Sequence, residues 1–138
     1  MRIKYDQEIL GFITILSRLT SANIKDCFKD EDIFFCIVAE GDIGKAIGKH
    51  GSVIKTIKER VGKPVRIIEY NKDVVQFIKN TVFPLKVSSI EQQDDVFVIT
   101  PLDNKSRSLL IGREGKHIKM TNKIVKRFDA GCEMPVSK

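Results

Sequence analysis

The chain has 138 residues, the length of one ordinary domain or of two very small ones. It is 42% hydrophobic and 30% charged, so it can bury a core and does not belong to the disordered class. No apolar run approaches the ~20 residues of a membrane helix, and residues 1–8 lack the apolar region of a secretory signal, so we expect a cytoplasmic protein. The net charge of +6 is only weak support for a polyanionic partner.

The first half of the chain predicts a helix, two strands, two helices and a closing strand. The continuous apolar run Ile33–Val38 has the length of a strand and predicts one that is buried on both faces. The helix that follows the loop at 48–51 is predicted to end at Gly62, because glycine favours the C-cap and the proline at position 64 cannot continue a helix. The predicted elements are a helix at 6–20, a weak strand at 24–28, a strand at 33–38, a short helix at 41–47, a loop at 48–51, a helix up to 62 and a strand at 65–68.

The second half repeats the first at an offset of 64 residues, since Ile47–Ile54 matches Ile111–Ile118. We therefore predict two domains, at residues 1–70 and 71–138, with a short or irregular closing strand in the second. The predicted elements of the second half are a helix that starts at Asn71 or Asp73 and stops before Pro84, strands at 85–87 and 96–99, a helix capped by Asp103 or Ser106, a loop at 112–115, a helix that buries Ile118, Thr121, Val125 and Phe128, and a poor strand at 132–136.

The positive charge is concentrated in two segments, one in each half. Residues 44–63 hold six basic residues against one acidic residue, and residues 104–127 hold eight against one. The two segments therefore carry +5 and +7, while the rest of the chain sums to −6. A solvated helix face is more soluble when the signs are mixed, so two matched segments of one sign indicate a footprint for a phosphate backbone.

The loop inside each basic segment is suited to a sugar-phosphate strand. Gly48 and Gly51 lack a Cβ and let a ligand backbone approach closely. The helix that begins at Gly51 points free amide groups and a partial positive charge at the loop, and Lys45 and Lys49 add full charges. An aliphatic surface for bases is offered beside the loop by Ile43, Ile47 and Ile54. This combination predicts a site for single-stranded nucleic acid.

The string from Ile43 to Ile54 resembles the signature of KH domains, with Gly48–Gly51 as the Gly-x-x-Gly loop. The predicted element order resembles the type II KH arrangement. That resemblance implies an α+β fold of two tandem type II KH domains, each a small mixed sheet covered by three helices. Two such units with almost nothing added, together with the second loop Gly112–Lys116, resemble the archaeal NusA-like transcription termination and antitermination proteins.

The resemblance implies a single-stranded RNA-binding protein of transcription, not an enzyme, that holds nascent RNA on one continuous surface with about four nucleotides per groove. We expect no cofactor, no metal, no small-molecule substrate and no membrane, and a contact with RNA polymerase stays open. The RNA-binding residues that we predict are Ile43, Gly44, Lys45, Ile47, Gly48, Lys49, His50, Gly51, Ile54 and Lys55 in the first copy, and Arg107, Gly112, Arg113, Glu114, Gly115, Lys116 and Lys119 in the second.

Glu114 departs from this pattern, because it places a carboxylate in the second loop, where phosphate should approach. Arg113 and Lys116 lie on either side of it and compensate for part of its charge. We predict that the second copy binds RNA more weakly than the first, or that it turns Glu114 away from the strand. The poor closing strand also leaves the floor of the second groove undefined.

Other functions stay open on the residues alone. A KH module could act in translation or RNA decay, or it could be a protein-interaction adaptor, although an adaptor would not need so much charge on the two loop segments. An enzyme is disfavoured, because His50 and His117 lie in the basic segments and no Gly-x-x-x-x-Gly-Lys-Ser/Thr string is present.

The three cysteines form no Cys-x-x-Cys pair, which favours buried thiols over a disulfide framework or a zinc site. Cys27 and Cys36 flank the acidic turn at 30–32, so a tight hairpin would place them opposite each other, where a disulfide is one of two possible states. Phe34, Phe35 and Phe97 lie in apolar strand runs and are predicted to be core residues, which leaves an aliphatic groove.

Overall fold

The computed structural model describes residues 7–94 and 96–127, and the chain divides into two compact units, Met1–Tyr70 and Asn71–Lys138. The described residues form six α-helices and five strands, and the strands make two small sheets. The prediction of an α+β fold with two small sheets is therefore confirmed. Within the described ranges, no helix is both long enough and apolar enough to cross a membrane.

The first unit follows the predicted element order. Its sheet is mixed, because the central strand β2 pairs antiparallel with β1 and parallel with β3. A parallel pair needs a crossover connection, and α2 and α3 supply it. The elements are α1 (Gln7–Leu19), β1 (Ile24–Asp30), β2 (Ile33–Val38), α2 (Ile43–Ile47), a 3₁₀ turn (Lys49–Gly51), α3 (Ser52–Val61) and β3 (Val65–Glu69).

β1 and β2 form a hairpin with a two-residue turn. Glu31 and Asp32 both have positive φ angles, 48° and 67°, and this conformation matches the twist of the flanking strands. The Asp32 carboxylate pairs with Lys63 at 3.3 Å and with Lys29 at 3.6 Å. The hydrogen bond from Lys63 is the main cause of a lowered pKa at Asp32. An exposed ion pair thus joins the acidic turn to the segment that follows α3.

The two cysteines of this hairpin lie opposite each other, as predicted, and are free thiols. Cys27 pairs with Cys36 in the strand register, and their exposed fractions are 4% and 1%. The hydrogen bond between the two thiols, together with burial, raises the pKa of Cys36. Cys132 lies outside the described residues.

The core of the first unit lies between one face of the sheet and the helices α1 and α3. Side chains alternate along β2, so Phe34, Cys36 and Val38 share this face and join a cluster with Phe12 of α1. The rings of Phe12 and Phe34 are 5.0 Å apart and tilted by 51°. The whole run from Phe34 to Val38 is buried, which confirms the prediction of a buried central strand with Phe34 and Phe35 in the core.

The described part of the second unit repeats this order up to its last helix. β4 and β5 form an antiparallel pair. Of the predicted caps, Asp73 accepts a hydrogen bond from the Val75 amide at 3.2 Å, and Asp103 accepts one from the Ser106 amide at 2.7 Å. The elements are α4 (Val74–Val82), β4 (Val87–Gln93), β5 (Val96–Pro101), α5 (Asn104–Ile111), a 3₁₀ turn (Arg113–Gly115) and α6 (Lys116–Lys126).

The first strand of the second unit is not where the sequence predicted it. The strand predicted at 85–87 runs instead from Val87 to Gln93. Its second half is polar and exposed, so hydrophobic alternation gave no signal for it. In β5, Phe97 is buried at 5% exposure, as predicted. The predicted closing strand at 132–136 lies outside the described residues.

The apolar stripe of α6 also differs in detail from its prediction. Thr121 and Val125 are buried as predicted, but Ile124 is fully buried as well, and Ile118 is only half-buried. Ile118 lies in the first turn of the helix, beside the loop, so less of the unit covers it. Phe128 lies outside the described residues.

Candidate nucleic-acid interface

The first loop joins α2 to α3 through backbone angles that require glycine. Gly48 has φ 78° and ψ 172°, and Gly51 has φ 74°. Between them, His50 adopts a left-handed φ of 57°. A Cβ on Gly48 would overlap the side chain of Val53 and lie 2.8 Å from the Val53 amide nitrogen. Both the backbone angles and the packing of the first turn of α3 therefore exclude a side chain at position 48.

The second loop has the same backbone conformation. Gly112 has φ 75° and ψ 172°, Glu114 has φ 57°, and Gly115 has φ 74°. In each loop the amide of the second glycine donates to the carbonyl of the first at 3.1 Å. A Cβ on Gly112 would lie 2.7 Å from the His117 Cβ. The two copies thus repeat in backbone geometry as well as in sequence.

The burial of the side chains around the loop also repeats between the two copies. Each residue from 42 to 57 is buried, half-buried or exposed in the same way as its counterpart from 106 to 121. Lys49 and His50 are exposed at the tip of the first loop, and Arg113 and Glu114 are exposed at the tip of the second. A ligand can therefore reach both tips, but it meets an imidazole at one and a carboxylate at the other.

The charge that the loops offer comes from exposed side chains. Lys45 is exposed too, but its Nζ atom lies 3.5 Å from the Asp42 carboxylate, so part of its charge is already compensated. None of the ion pairs among the described residues involves the other lysines and arginines predicted for the site, which are Lys49, Lys55, Arg107, Arg113, Lys116 and Lys119. The N-cap residues of α3 and α6 are Gly51 and Gly115, which have no side chain to cap the first amides of the helix, so the partial positive charge of each helix start adds to the charge of these side chains.

Half-buried side chains flank each loop. Ile43, Ile47 and Ile54 are partly exposed beside the first loop, and Ile43 also packs against the core of its unit. The matching positions near the second loop are Arg107, Ile111 and Ile118, which are half-buried too. The predicted residues of the first copy thus lie around one loop, and those of the second copy lie around the other.

Two contacts that anchor the first loop were missed by sequence reasoning. α2 begins at Ile43 and not at the predicted residue 41, and the carboxylate of its N-cap residue, Asp42, makes no capping bond to the helix but accepts from the Asn23 amide at 2.7 Å. This hydrogen bond is the main cause of a lowered pKa at Asp42. The Thr20 hydroxyl donates to the Lys45 carbonyl at 2.8 Å. Both bonds tie α2 to the segment between α1 and β1, and no local pattern announces such long-range partners.

A third missed contact anchors the second loop. The Nδ1 atom of His117 lies 3.0 Å from the Leu110 carbonyl oxygen, so Nδ1 carries the proton and donates. The bond joins the first turn of α6 to the last turn of α5 across the loop. Val53 occupies the matching position in the first copy and has no polar atom for such a bond. His117 is therefore a support of the loop.

Another concave site lies elsewhere in the first unit. A cavity of about 190 Å³ opens between α1 and the end of α3, over Phe12, Phe34 and Val61. Its rim carries Glu8 and Arg60. Within the described ranges, no group of three or more His, Cys, Asp or Glu side chains could hold a metal ion.

Comparison with known proteins identifies the family. The chain is 36% identical over 121 residues to the probable transcription termination protein NusA of Methanococcus vannielii. The match covers 86% of this chain and 70% of that protein. The chain belongs to the archaeal NusA family. A second NusA protein of this name, from Methanocaldococcus jannaschii, is 33% identical over 91% of the chain and 70% of its own length. The family resemblance that the loops and the repeat indicated is thus confirmed.

A solved structure shares the fold of this chain. The crystal structure of APE1850 superposes with a TM-score of 0.73 at 25% identity, and the match covers 96% of this chain and all of that one. No protein-family model matches the chain.

Proposed function

We propose that this protein binds single-stranded nascent RNA during transcription termination or antitermination, through two tandem type II KH domains, and that it has no catalytic activity. The observation that carries the proposal is the pair of Gly-x-x-Gly loops with one backbone conformation, each open at its tip and each lying within a segment of strong positive charge. Backbone amides at a helix start and exposed lysines are the usual partners of phosphate.

The order of elements supports the assignment to the KH class. In the first unit, the loop joins two helices that connect the parallel strands β2 and β3, and a third helix and strand precede them. The half-buried aliphatic residues beside the loop would hold bases while the loop holds the backbone. The site residues that we propose are those named from the sequence, around Gly48–Gly51 and Gly112–Gly115.

The names of the relatives support transcription as the process. Several are called probable transcription termination protein NusA, and a bacterial relative from Borreliella burgdorferi is called a transcription termination/antitermination protein. We therefore propose RNA polymerase as the protein partner, in the cytoplasm. The connection between the units is short, since β3 ends at Glu69 and α4 begins at Val74, which supports binding of one RNA by both units.

Titration of labelled single-stranded RNA of about ten nucleotides tests RNA binding. The double variant Lys49→Asp with His50→Asp should nearly abolish binding by the first loop, because it places two carboxylates where phosphate approaches. The matched control is Lys72→Asp with Lys79→Asp, which introduces the same residues at two exposed lysines outside the basic segments. The control should keep most of the affinity of the natural protein.

Two results would contradict the proposal. Absence of binding at low salt by the natural protein would favour a protein-interaction adaptor. A loss of affinity in the control variant at least as large as in the loop variant would mean that only net charge matters. Affinity purification after nuclease treatment then separates the processes, because recovery of ribosomes in place of RNA polymerase would favour a role in translation.

A further inference from the structure

The two loop units differ at one half-buried position that lies before each loop. Position 43 in α2 is isoleucine, and its counterpart in α5, 64 residues later, is Arg107. Both residues are half-buried, and the residues around them match in burial. The second unit therefore carries a guanidinium where the first carries an aliphatic side chain. Arg107 precedes Gly112 by five residues, which is roughly 7.5 Å along a helix axis.

The guanidinium donors of Arg107 form no hydrogen bond within the described part of the chain. Its Nε atom is buried and has no hydrogen-bond partner there. No ion pair among the described residues involves Arg107, and Asp103, one turn earlier, directs its carboxylate to the Ser106 amide at 2.7 Å. No hydrogen bond or ion pair among the described residues uses the two terminal nitrogens of its guanidinium, and neither nitrogen is fully buried.

A buried Nε atom without a hydrogen-bond partner is unusual for an arginine with only a structural role. Native structures pair nearly all of their buried polar groups, and an orphaned one calls for an explanation. A stem that is already packed also limits the rotamer freedom of the planar fork, so less entropy is lost when the fork forms hydrogen bonds. Arg107 is thus a set of fixed donors beside a loop that is suited to phosphate.

We propose that Arg107 is a specificity-determining residue of the second unit, and that it recognises a base with two adjacent hydrogen-bond acceptors. The proposal deepens the proposed function and rests on it. Phosphates would be held by the loop and by Arg113, and the next base would lie against α5. Guanine presents O6 and N7 to such a fork, and unpaired cytosine presents O2 and N3, whereas adenine sets its amino group beside N7.

The first unit makes no such selection, because Ile43 offers only apolar contact. The two units would then divide the work: the first binds RNA with little regard to sequence, and the second adds base preference. The carboxylate of Glu114 at the second tip fits this division, since it weakens the part of binding that depends only on phosphate.

The experiment uses the full chain and three labelled repeats of about ten nucleotides, alternating uridine with guanosine, cytidine or adenosine. The natural protein should bind the guanosine or the cytidine repeat about tenfold more tightly than the adenosine repeat. Arg107→Ile, which installs the residue of the first unit, should bind all three with the affinity of the adenosine repeat. If guanosine is preferred, replacing it with 7-deazaguanosine, which lacks the N7 acceptor, should remove the preference without any change in the protein.

Arg113→Ile is the matched control, because it removes an exposed arginine of the same unit. It should weaken binding to all three repeats equally and leave their ratio unchanged. The inference is overturned if the natural protein binds the repeats equally, if Arg107→Ile keeps the preference, or if Arg107→Ile weakens all repeats alike, as a phosphate contact would. Absence of binding to any repeat would instead refute the proposed function.

Discussion

At the scale of single residues, the glycines that open the two loops are the most constrained positions. Gly48 combines a backbone conformation open only to glycine with a first turn of α3 that leaves no room for a Cβ. Gly44, only four residues earlier, lies inside α2 with an ordinary φ angle and nothing within 4 Å of its missing Cβ. The same substitution at these two positions therefore has opposite consequences.

We expect Gly48→Ala to destabilise the protein by about 1–3 kcal/mol and to weaken RNA binding, because the loop must change its path. Gly44→Ala should stabilise it by about 0.5–1 kcal/mol, because alanine restricts the unfolded chain and suits a helix. Urea unfolding followed by circular dichroism measures both. Equal unfolding midpoints for the two variants would contradict the loop geometry.

A second residue-scale prediction concerns Cys36. The hydrogen bond with Cys27 and burial raise the pKa of Cys36, so its thiol stays protonated where a free cysteine ionises. Native protein treated with iodoacetamide at about pH 8 should leave Cys27 and Cys36 unmodified, and a rise to about pH 9 should not change this. Protein unfolded in urea should react at both positions and faster at the higher pH. Rapid labelling of native Cys36, mapped by mass spectrometry, would contradict the burial of the pair.

At the scale of elements, each helix–loop–helix is a unit whose backbone is constant and whose side chains vary. His50 and Glu114 occupy one conformation, with φ 57° in both. A comparison of the two loops therefore isolates the effect of side-chain charge from that of loop shape. In the first unit, Asp42 at the start of α2 accepts a hydrogen bond from Asn23, and in the second unit His117 joins α6 to α5 across the loop.

We expect Glu114→His to raise RNA affinity about two- to fivefold, because it removes an exposed like charge worth up to about 1 kcal/mol from the phosphate path. The reciprocal change His50→Glu should lower affinity by a similar factor. Fluorescence anisotropy at low salt measures both, and circular dichroism checks that the fold is unchanged. No change in either variant would mean that the tips point away from the strand.

At the scale of the whole molecule, the net charge of +6 divides into +12 on the two basic segments and −6 elsewhere. A uniform +6 would attract polyanions weakly and without direction. Because the positive charge is concentrated at two loops with the same backbone conformation, phosphates are neutralised at these two places. Binding should therefore show the salt dependence of counterion release.

For single strands, the logarithm of affinity falls by about 0.7 per neutralised phosphate for each logarithmic unit of salt. With about three phosphates at each loop, the natural protein should give a slope of about −4, and Lys49→Asp with His50→Asp should give about −2. Titrations at four or more salt concentrations give this slope. An unchanged slope in the double variant would place the phosphate contacts elsewhere.

Much of the fold follows from local pattern. The apolar run of β2, the glycine stop of α3 and the Asp73 and Asp103 caps are short-range signals, and the structure has them where they were predicted. The bounds of β4 were predicted wrongly, because its exposed polar half has no hydrophobic periodicity and its pairing with β5 depends on tertiary contacts. The residues proposed for the candidate site lie close together in the chain, so short-range signals were enough to propose them, and their role in binding stays a prediction.

By itself, the sequence determined the repeat, the two basic segments and the glycine loops, because each is a matter of spacing along the chain. Only the tertiary structure decided that the two loops share one backbone, that Asp42 binds Asn23, and that Arg107 has unused donors. Backbone angles and hydrogen-bond partners depend on which distant groups folding brings within about 3 Å, and spacing along the chain does not specify that.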